Sequence, residues 1–298
     1  MNKIERIAQK TPDPVVKALK KPVVKGMHYL MLALSPVRNR LYPRRFHAFC
    51  LGVPRTGTAS MAGLFQRHYR AEHEPEDIVT TEKIVDFING ELSKKKMSSF
   101  IRKRDRSLWL ELESSHFSYF YLDILLQEFE QAKFILLLRD CYSWLNSYIN
   151  HQLGRPLSIK SRFWNKLRDI YFDNHFPYSA QEQVLDERGL YTIDGYLSRW
   201  KSYNEKVLSL VPSERLLVIR THEIKEKFED IKDFLGISSN NLDGSQSHLN
   251  TRTKGFDLLS KIDKGFLKEK FNDHCQDLMK DYFPRLYQNS YGIPDGEN

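Results

Sequence analysis

The chain has 298 residues, 41% of them hydrophobic, which suits one large α/β domain with an appendage, or two small domains, and leaves enough chain for a substantial core. Its three cysteines, Cys50, Cys141 and Cys275, are too few for a disulfide scaffold and fit no zinc spacing, which points to a reducing, cytoplasmic compartment. The net charge of +8 is concentrated at one end: residues 1–45 carry eleven basic residues against Glu5 and Asp13, and the rest of the chain is close to neutral, which argues against nucleic acid as the partner of the folded body.

Residues 1–45 therefore read as a basic arm before a domain over 46–298. The longest apolar run of the arm, Tyr29–Leu34, is too short to span a bilayer and comes too late for a simple signal peptide. It reads either as a helix packed on the domain with solvated lysines, or as a peripheral arm on an anionic membrane, where each basic residue adds about 1 kcal/mol. Phe46–Val53, "FHAFCLGV", is a short apolar run closed by Pro54 and reads as a buried strand. Ser60–Tyr69 continues as a helix, with Met61, Leu64, Phe65 and His68 at three- and four-residue spacing. The run "KKKMSSFIRKR", Lys94–Arg104, reads as a solvated helix face or as an attractor for an anion.

"SLWLELES", Ser107–Ser114, alternates and is expected to be a second strand, with a helix following over Phe117–Gln131. Ala132–Asp140, "AKFILLLRD", is apolar on both faces, as a parallel strand requires. Helices follow in "YSWLNSYINHQ" and "YLSRWKSYNEKVLSLVP", then a strand in "RLLVIR", Arg215–Arg220, and a helix in "FEDIKDFLGI". Strands alternating with helices predict an α/β fold, a doubly wound parallel sheet with helices on both faces. Ligands of such sheets lie at the carboxyl ends of the strands, and two ends carry chemistry here, at Val53 and at Leu138.

The first is "CLGVPRTGTASM". Gly57 permits a sharp turn and a close approach to a ligand, and the helix behind it directs free N–H groups and its positive dipole end at the loop. In a Walker loop the second glycine is followed by Lys and then Ser or Thr; here Thr58 and Ala59 stand there, and the cation comes earlier, at Arg55. Such a P-loop-like turn suits a single phosphate better than a magnesium nucleoside triphosphate.

The stretch Val53–Met61 resembles the 5′-phosphosulfate loop of sulfotransferases, in the form found in tyrosylprotein and bacterial enzymes. "RDCYSWLNSY" strengthens the resemblance: Arg139 at a strand end and Ser147 eight residues on have the spacing of the family's 3′-phosphate motif, with Cys141 where the family usually has Pro. "NTRTKG", Asn250–Gly255, is similar to the late basic loop of the family and offers Arg252 and Lys254. The resemblance implies 3′-phosphoadenosine 5′-phosphosulfate (PAPS) as donor, PAP as product and no metal. Arg55 and the backbone of Thr56, Gly57, Thr58, Ala59 and Ser60 would then hold the 5′-phosphosulfate, and Arg139, Ser147, Arg252 and Lys254 the 3′-phosphate and adenine.

It also implies a general base, for which there are two candidates. Glu74 lies where glycan and tyrosyl sulfotransferases place a Glu, and His116 where cytosolic aryl and steroid sulfotransferases place a His; the type of loop favours Glu74. The acceptor, a small molecule, lipid or glycan with a hydroxyl or amine, is not legible, although aromatics in "YSWLNSYINHQ" and "RFWNKLRDIYFDNHFPY" could line an apolar cleft. Two other functions compete: a P-loop-type nucleotide kinase or NTPase, against which the missing Walker Lys speaks, and a non-enzymatic membrane- or glycan-binding module built on the basic arm.

Overall fold

A strand that is apolar on both faces must be covered on both, and the central strands of this chain meet that condition. The computed structural model describes residues 37–154, 162–172, 175–237, 242–244 and 255–294. By its contacts the chain divides into residues 1–44 with 99–109, and residues 45–98 with 110–298. In the first unit, Arg44 holds Asp105 through its two terminal guanidinium nitrogens and lies 4.2 Å over the Trp109 ring, whose indole N–H donates to the Tyr42 carbonyl.

The second unit carries a five-stranded sheet. Its strands are β1 (Ala48–Leu51), β2 (Ala71–His73), β3 (Leu112–Ser114), β4 (Lys133–Leu138) and β5 (Leu216–Arg220), in the spatial order β2-β3-β1-β4-β5. Every pairing is parallel, with Cys50 opposite Ser114 on one side and Ile135 on the other. This is the expected α/β parallel sheet flanked by helices. The chain leaves β1 toward one edge and later returns past it to β4, so the ends of β1, β3 and β4 face the crevice where the winding reverses.

Ala48 and Cys50 join Met61, Leu64 and Phe65 of helix α1 (Thr58–Gln66) in one apolar layer, whereas Phe49 stacks on Phe134 at 5.6 Å. Helix α2 (Asp77–Ile88) and helix α3 (Lys94–Leu108) precede β3. The strand expected over Ser107–Ser114 is thus shorter: α3 runs to Leu108, Trp109 turns left-handed at φ 53, and only Leu112–Ser114 pairs. The alternation there had a second cause. Glu111 is buried because its carboxylate accepts from the Arg45 N–H, the Arg45 Nε and the Arg70 N–H. The short edge strand β2, polar at two of its three positions, left no periodic signal. The helix expected over 117–131 opens as a 3₁₀ turn, His116–Tyr121, and becomes α4 only at Leu122–Glu128.

Beyond β4 come α5 (Cys141–Gly154), α6 (Arg162–Phe172), the single turn α7 (Gln183–Asp186) and α8 (Ile193–Leu210). After β5, α9 (Phe228–Leu235) covers the sheet, and α10 (Lys264–Tyr282) packs on α8. Of the aromatics that the sequence offered either for a cleft or for the core, Trp144, Tyr148 and Phe172 are core, all three buried. No helix among the described residues is long and apolar enough to cross a membrane.

Two of the buried tryptophans reach the strand ends. The Trp144 indole N–H donates to the Pro54 carbonyl at 2.8 Å, and that of Trp200 to the Arg139 carbonyl at 3.0 Å. Replacing Trp144 by Phe keeps most of the apolar contact and strands the Pro54 carbonyl, so it should cost about 1–3 kcal/mol of unfolding free energy, while Trp144→Ala, which also opens a cavity, should cost about 3–5 kcal/mol. Urea denaturation of the three proteins checks both values; equal stability of Trp144→Phe and wild type would show that the bond does not hold the loop.

Candidate active site

The turn after β1 is tight because its side chains bond back to it. Thr56 donates from its backbone N–H and its Oγ1 to the Val53 carbonyl, at 3.2 and 2.9 Å. Gly52 has no room for a side chain: a Cβ there would lie 2.3 Å from Thr56 Oγ1 and 3.0 Å from the Leu137 carbonyl oxygen. Gly57 occupies the left-handed region at φ 99, and Arg55, without glycine's freedom, does so at φ 78. Such a conformation in a non-glycine residue is held only by its surroundings. Here these are Trp144 on the Pro54 carbonyl, Thr221 Oγ1 on the Thr56 carbonyl at 2.8 Å, and the Tyr203 hydroxyl, which accepts the Gly52 N–H at 3.0 Å.

Helix α1 starts at Thr58, two residues before the sequence suggested, so Thr58, Ala59 and Ser60 form its first turn. Gly57 at the N-cap gives that turn no side-chain cap, which leaves an anion-seeking helix end at the mouth of the loop.

The second strand end lies beside the first. Asp140 caps α5 by accepting the Ser143 N–H at 2.8 Å, and the Ser143 hydroxyl donates to its carboxylate as well. The Arg139 guanidinium bonds Ser143 Oγ at 2.9 Å through Nε and reaches the Arg55 carbonyl at 3.2 Å through Nη1. Ser147, expected beside Arg139, instead accepts from Arg55 Nε at 3.3 Å. Its eight-residue spacing placed it on the correct face of α5, one turn too far for Arg139. Ser143 went unnoticed in the sequence, although a hydroxyl four residues after a strand-end arginine is a usable signal. Burial lowers the Arg139 pKa, Asp140 raises it and the neighbouring Arg55 lowers it again. Two guanidinium groups are thus held close enough to repel, a state an anion would relieve. Arg252 and Lys254 lie outside the described residues.

The two candidate bases proved to be one unit. Glu74 follows β2 at φ 51, with its N–H on the Ser114 carbonyl, and its Oε1 lies 2.5 Å from His116 Nδ1. His73, which the sequence did not single out, places Nε2 3.5 Å from the same carboxylate oxygen and 3.1 Å from Thr58 Oγ1. Burial pushes the Glu74 carboxyl up, but His116, with His73 and His151 further off, outweighs burial and holds it below the usual carboxylate range. Burial also lowers His73, and Glu74 only partly restores it. The Glu74 side chain is 25% exposed, that of His116 4%.

Parallel strands ending in a glycine-bound turn, an uncapped helix start and two neighbouring arginines stand beside a carboxylate–histidine pair in this α/β protein. The chain belongs to the sulfotransferase domain family, whose model matches residues 47–254. No curated protein sequence matches it. Among solved structures, a sulfotransferase from Mycobacterium tuberculosis is 13% identical, with 80% of this chain and 81% of that one covered and a TM-score of 0.38. A mouse sulfotransferase complexed with PAP is 14% identical over 76% and 67%, with a TM-score of 0.34. The sulfotransferase domain of the Synechococcus olefin synthase is 18% identical over 85% and 89%, with a TM-score of 0.36.

The carboxylate–histidine cluster makes stability pH-dependent. Both His73 and Glu74 have folded-state pKa values below their ordinary 6.5 and 4.5. Each therefore contributes stability that is present above its ordinary value and is lost as pH falls toward the folded one. The denaturation midpoint should drop on acidification in two stages. His73→Gln should flatten the stage just below pH 6.5, and Glu74→Gln the stage below pH 4.5. Identical pH profiles for wild type and both variants would rule this out.

Proposed function

We propose that this sulfotransferase moves a sulfuryl group from PAPS to a hydroxyl or amine of an acceptor, releasing PAP. The observation that carries this reading is the side-by-side placement of Arg55 and Arg139, each with a serine hydroxyl of α5, over the uncapped start of α1. The residues fit such a donor: Gly52, without a Cβ, lets Thr56 close the turn tightly, and two anionic ends of one nucleotide match two cations at neighbouring strand ends. When bound, the donor supplies a sulfuryl group attached to a phosphate leaving group. Arg55 and the amides of Thr56 to Ser60 take up the charge that develops on that phosphate. Arg139, with Ser143 and Ser147, holds the 3′-phosphate, and Arg252 and Lys254 are assigned to the same end of the nucleotide.

Glu74 takes the proton of the acceptor, because its carboxylate is the more exposed member of the pair and lies beyond the loop that holds the leaving group. His116 positions that carboxylate and tunes its pKa from behind. We assign the acceptor to the small molecules, lipids or glycans, the basic residues 1–45 to a peripheral contact with an anionic membrane, and the protein to the cytoplasm, where its three buried cysteines stay free.

Calorimetry with PAP tests the donor assignment. Arg139→Ala should raise the Kd for PAP about 10- to 100-fold, since it removes a charge-assisted bond of about 1.5–3 kcal/mol, and should leave adenosine 5′-phosphosulfate, which lacks a 3′-phosphate, almost unaffected. Arg55→Ala should weaken both nucleotides. Equal losses for both in Arg139→Ala would refute the 3′ assignment.

For the base, Glu74→Gln should lower kcat about 10²- to 10⁴-fold with the donor Kd unchanged. His116→Asn should keep more activity and move the acidic limb of the kcat–pH profile upward, because it removes the ring that depresses the Glu74 carboxyl. If His116→Asn is the more damaging change and that limb stays put, the two roles are reversed.

A further inference from the structure

Next to the carboxylate–histidine pair lies an arginine that the proposed reaction does not use. Arg199 on α8 is only 9% exposed, yet among the described residues it has no carboxylate partner, and its Nε and Nη2 are buried without a hydrogen-bond partner. Aromatic rings surround it instead, with the Tyr171 hydroxyl as a polar neighbour: its guanidinium carbon lies 3.9 Å from the Tyr119 centroid and 3.8 Å from that of Tyr171, with Phe120 and Tyr203 at 5.2 and 5.6 Å. Cation–π contacts of this kind return about 2 kcal/mol when desolvated, less than the several kcal/mol that burying an ion costs. Two of its guanidinium nitrogens thus remain without a hydrogen-bond acceptor, and no carboxylate among the described residues faces it.

A second cation, partly exposed, stands on the same helix face. Lys206 lies two helical turns along α8, and its Nζ sits 4.4 Å from the same Tyr119 ring and bonds the Tyr119 carbonyl at 3.1 Å, again with no carboxylate partner among the described residues. Residues 199, 203 and 206 share one face of α8 by their spacing. That face adjoins the chemistry: the Tyr171 ring meets the His116 ring edge-on at 6.0 Å, and the Tyr203 hydroxyl spans from the Gly52 N–H to the His116 carbonyl. Two cations without a carboxylate partner among the described residues, set against aromatic rings beside the carboxylate–histidine pair, suit a molecule that is both apolar and anionic.

We propose that the Arg199–Lys206 face of α8, walled by Tyr119 and Tyr171, binds an oxyanion carried by the acceptor (a carboxylate, sulfate or phosphate), so that the enzyme selects acceptors already bearing a negative charge. This rests on the sulfotransferase reading above, which puts the acceptor beside Glu74. Arg199 and Lys206 here determine specificity and take no part in the sulfuryl transfer.

The probes are 4-hydroxyphenylacetate and its neutral counterpart 4-hydroxyphenethyl alcohol, titrated at millimolar concentration into the full chain with and without saturating PAP and read by calorimetry and thermal unfolding. The carboxylate should bind wild type at least about tenfold more tightly than the alcohol, and R199M should lose about 10- to 100-fold of the carboxylate affinity. R199M should also melt at or about 2–4 °C above wild type, since an apolar side chain removes an unbalanced buried charge. K206M should lose part of the carboxylate preference, and R199K should retain part of it. Equal binding of the two probes to wild type, or carboxylate affinity unchanged in both R199M and K206M, overturns the proposal. An R199M that unfolds or melts well below wild type overturns it as well if K206M keeps the full preference, because Arg199 is then a structural support. PAP titration of R199M separates this outcome from failure of the donor assignment: PAP should bind the variant as it binds wild type. If PAP binds neither, the donor assignment falls, and the nucleotide-free arm still tests the oxyanion site.

Discussion

Where β1 and β4 end, their backbone groups run out of sheet partners, and side chains from distant elements take over. The Pro54, Thr56 and Arg139 carbonyls are held by Trp144, Thr221 and Trp200, and the Gly52 N–H by the Tyr203 hydroxyl. Each of these bonds joins residues well over fifty positions apart, so the loops acquire their shape only when the sheet and its flanking helices have assembled. A buried carbonyl left without a donor costs about 1–3 kcal/mol, and this penalty fixes one conformation of the turn, including the left-handed Arg55. The uncapped first turn of α1 and the adjacency of Arg55 and Arg139 both follow from it.

Charge is then distributed in an uneven way across the crevice. At the strand ends, the Arg55 guanidinium bonds a serine hydroxyl, and the Arg139 guanidinium bonds a second serine hydroxyl and the Arg55 carbonyl, with the Asp140 carboxylate close by. A few residues away, a single carboxylate stands among imidazoles, which keep it ionised despite its burial. On the far side of His116, Arg199 and Lys206 have ring faces and a carbonyl for company. A folded protein of marginal stability keeps such imbalances where a ligand completes them. Under the proposals above, the first zone takes a phosphate, the second supplies the base and the third takes a second anion.

Much of the architecture was readable from local pattern. β4, apolar on both faces, and the alternation of apolar runs with amphipathic ones specify a parallel sheet with covered faces, because a strand buried on both sides needs no more than local composition to announce itself. Elements whose burial depends on partners were misread. Glu111 imitated a solvent-facing strand residue while being buried by Arg45 and Arg70, and β2 was too short and polar to leave a trace. Nor does periodicity reveal that His73, Thr221 and Tyr203 contribute to the crevice, since each arrives from a different element.

By itself the sequence determined the fold class, the glycine turn after β1 and the arginine after β4, because these depend on residue type and short spacing: glycine for φ 99, an apolar strand before each turn, a cation at each strand end. Glu74 and His116, 42 residues apart, looked like rival bases, and only the tertiary structure joined them at 2.5 Å. It likewise gave Ser143 to Arg139 and Ser147 to Arg55, and left Arg199 buried without a counter-charge. The physical reason is range. Backbone preference and apolar periodicity act within a few residues of chain, whereas hydrogen bonds and charge balance are set by whatever the packed sheet brings within 3 or 4 Å, and a linear spacing carries almost none of that information.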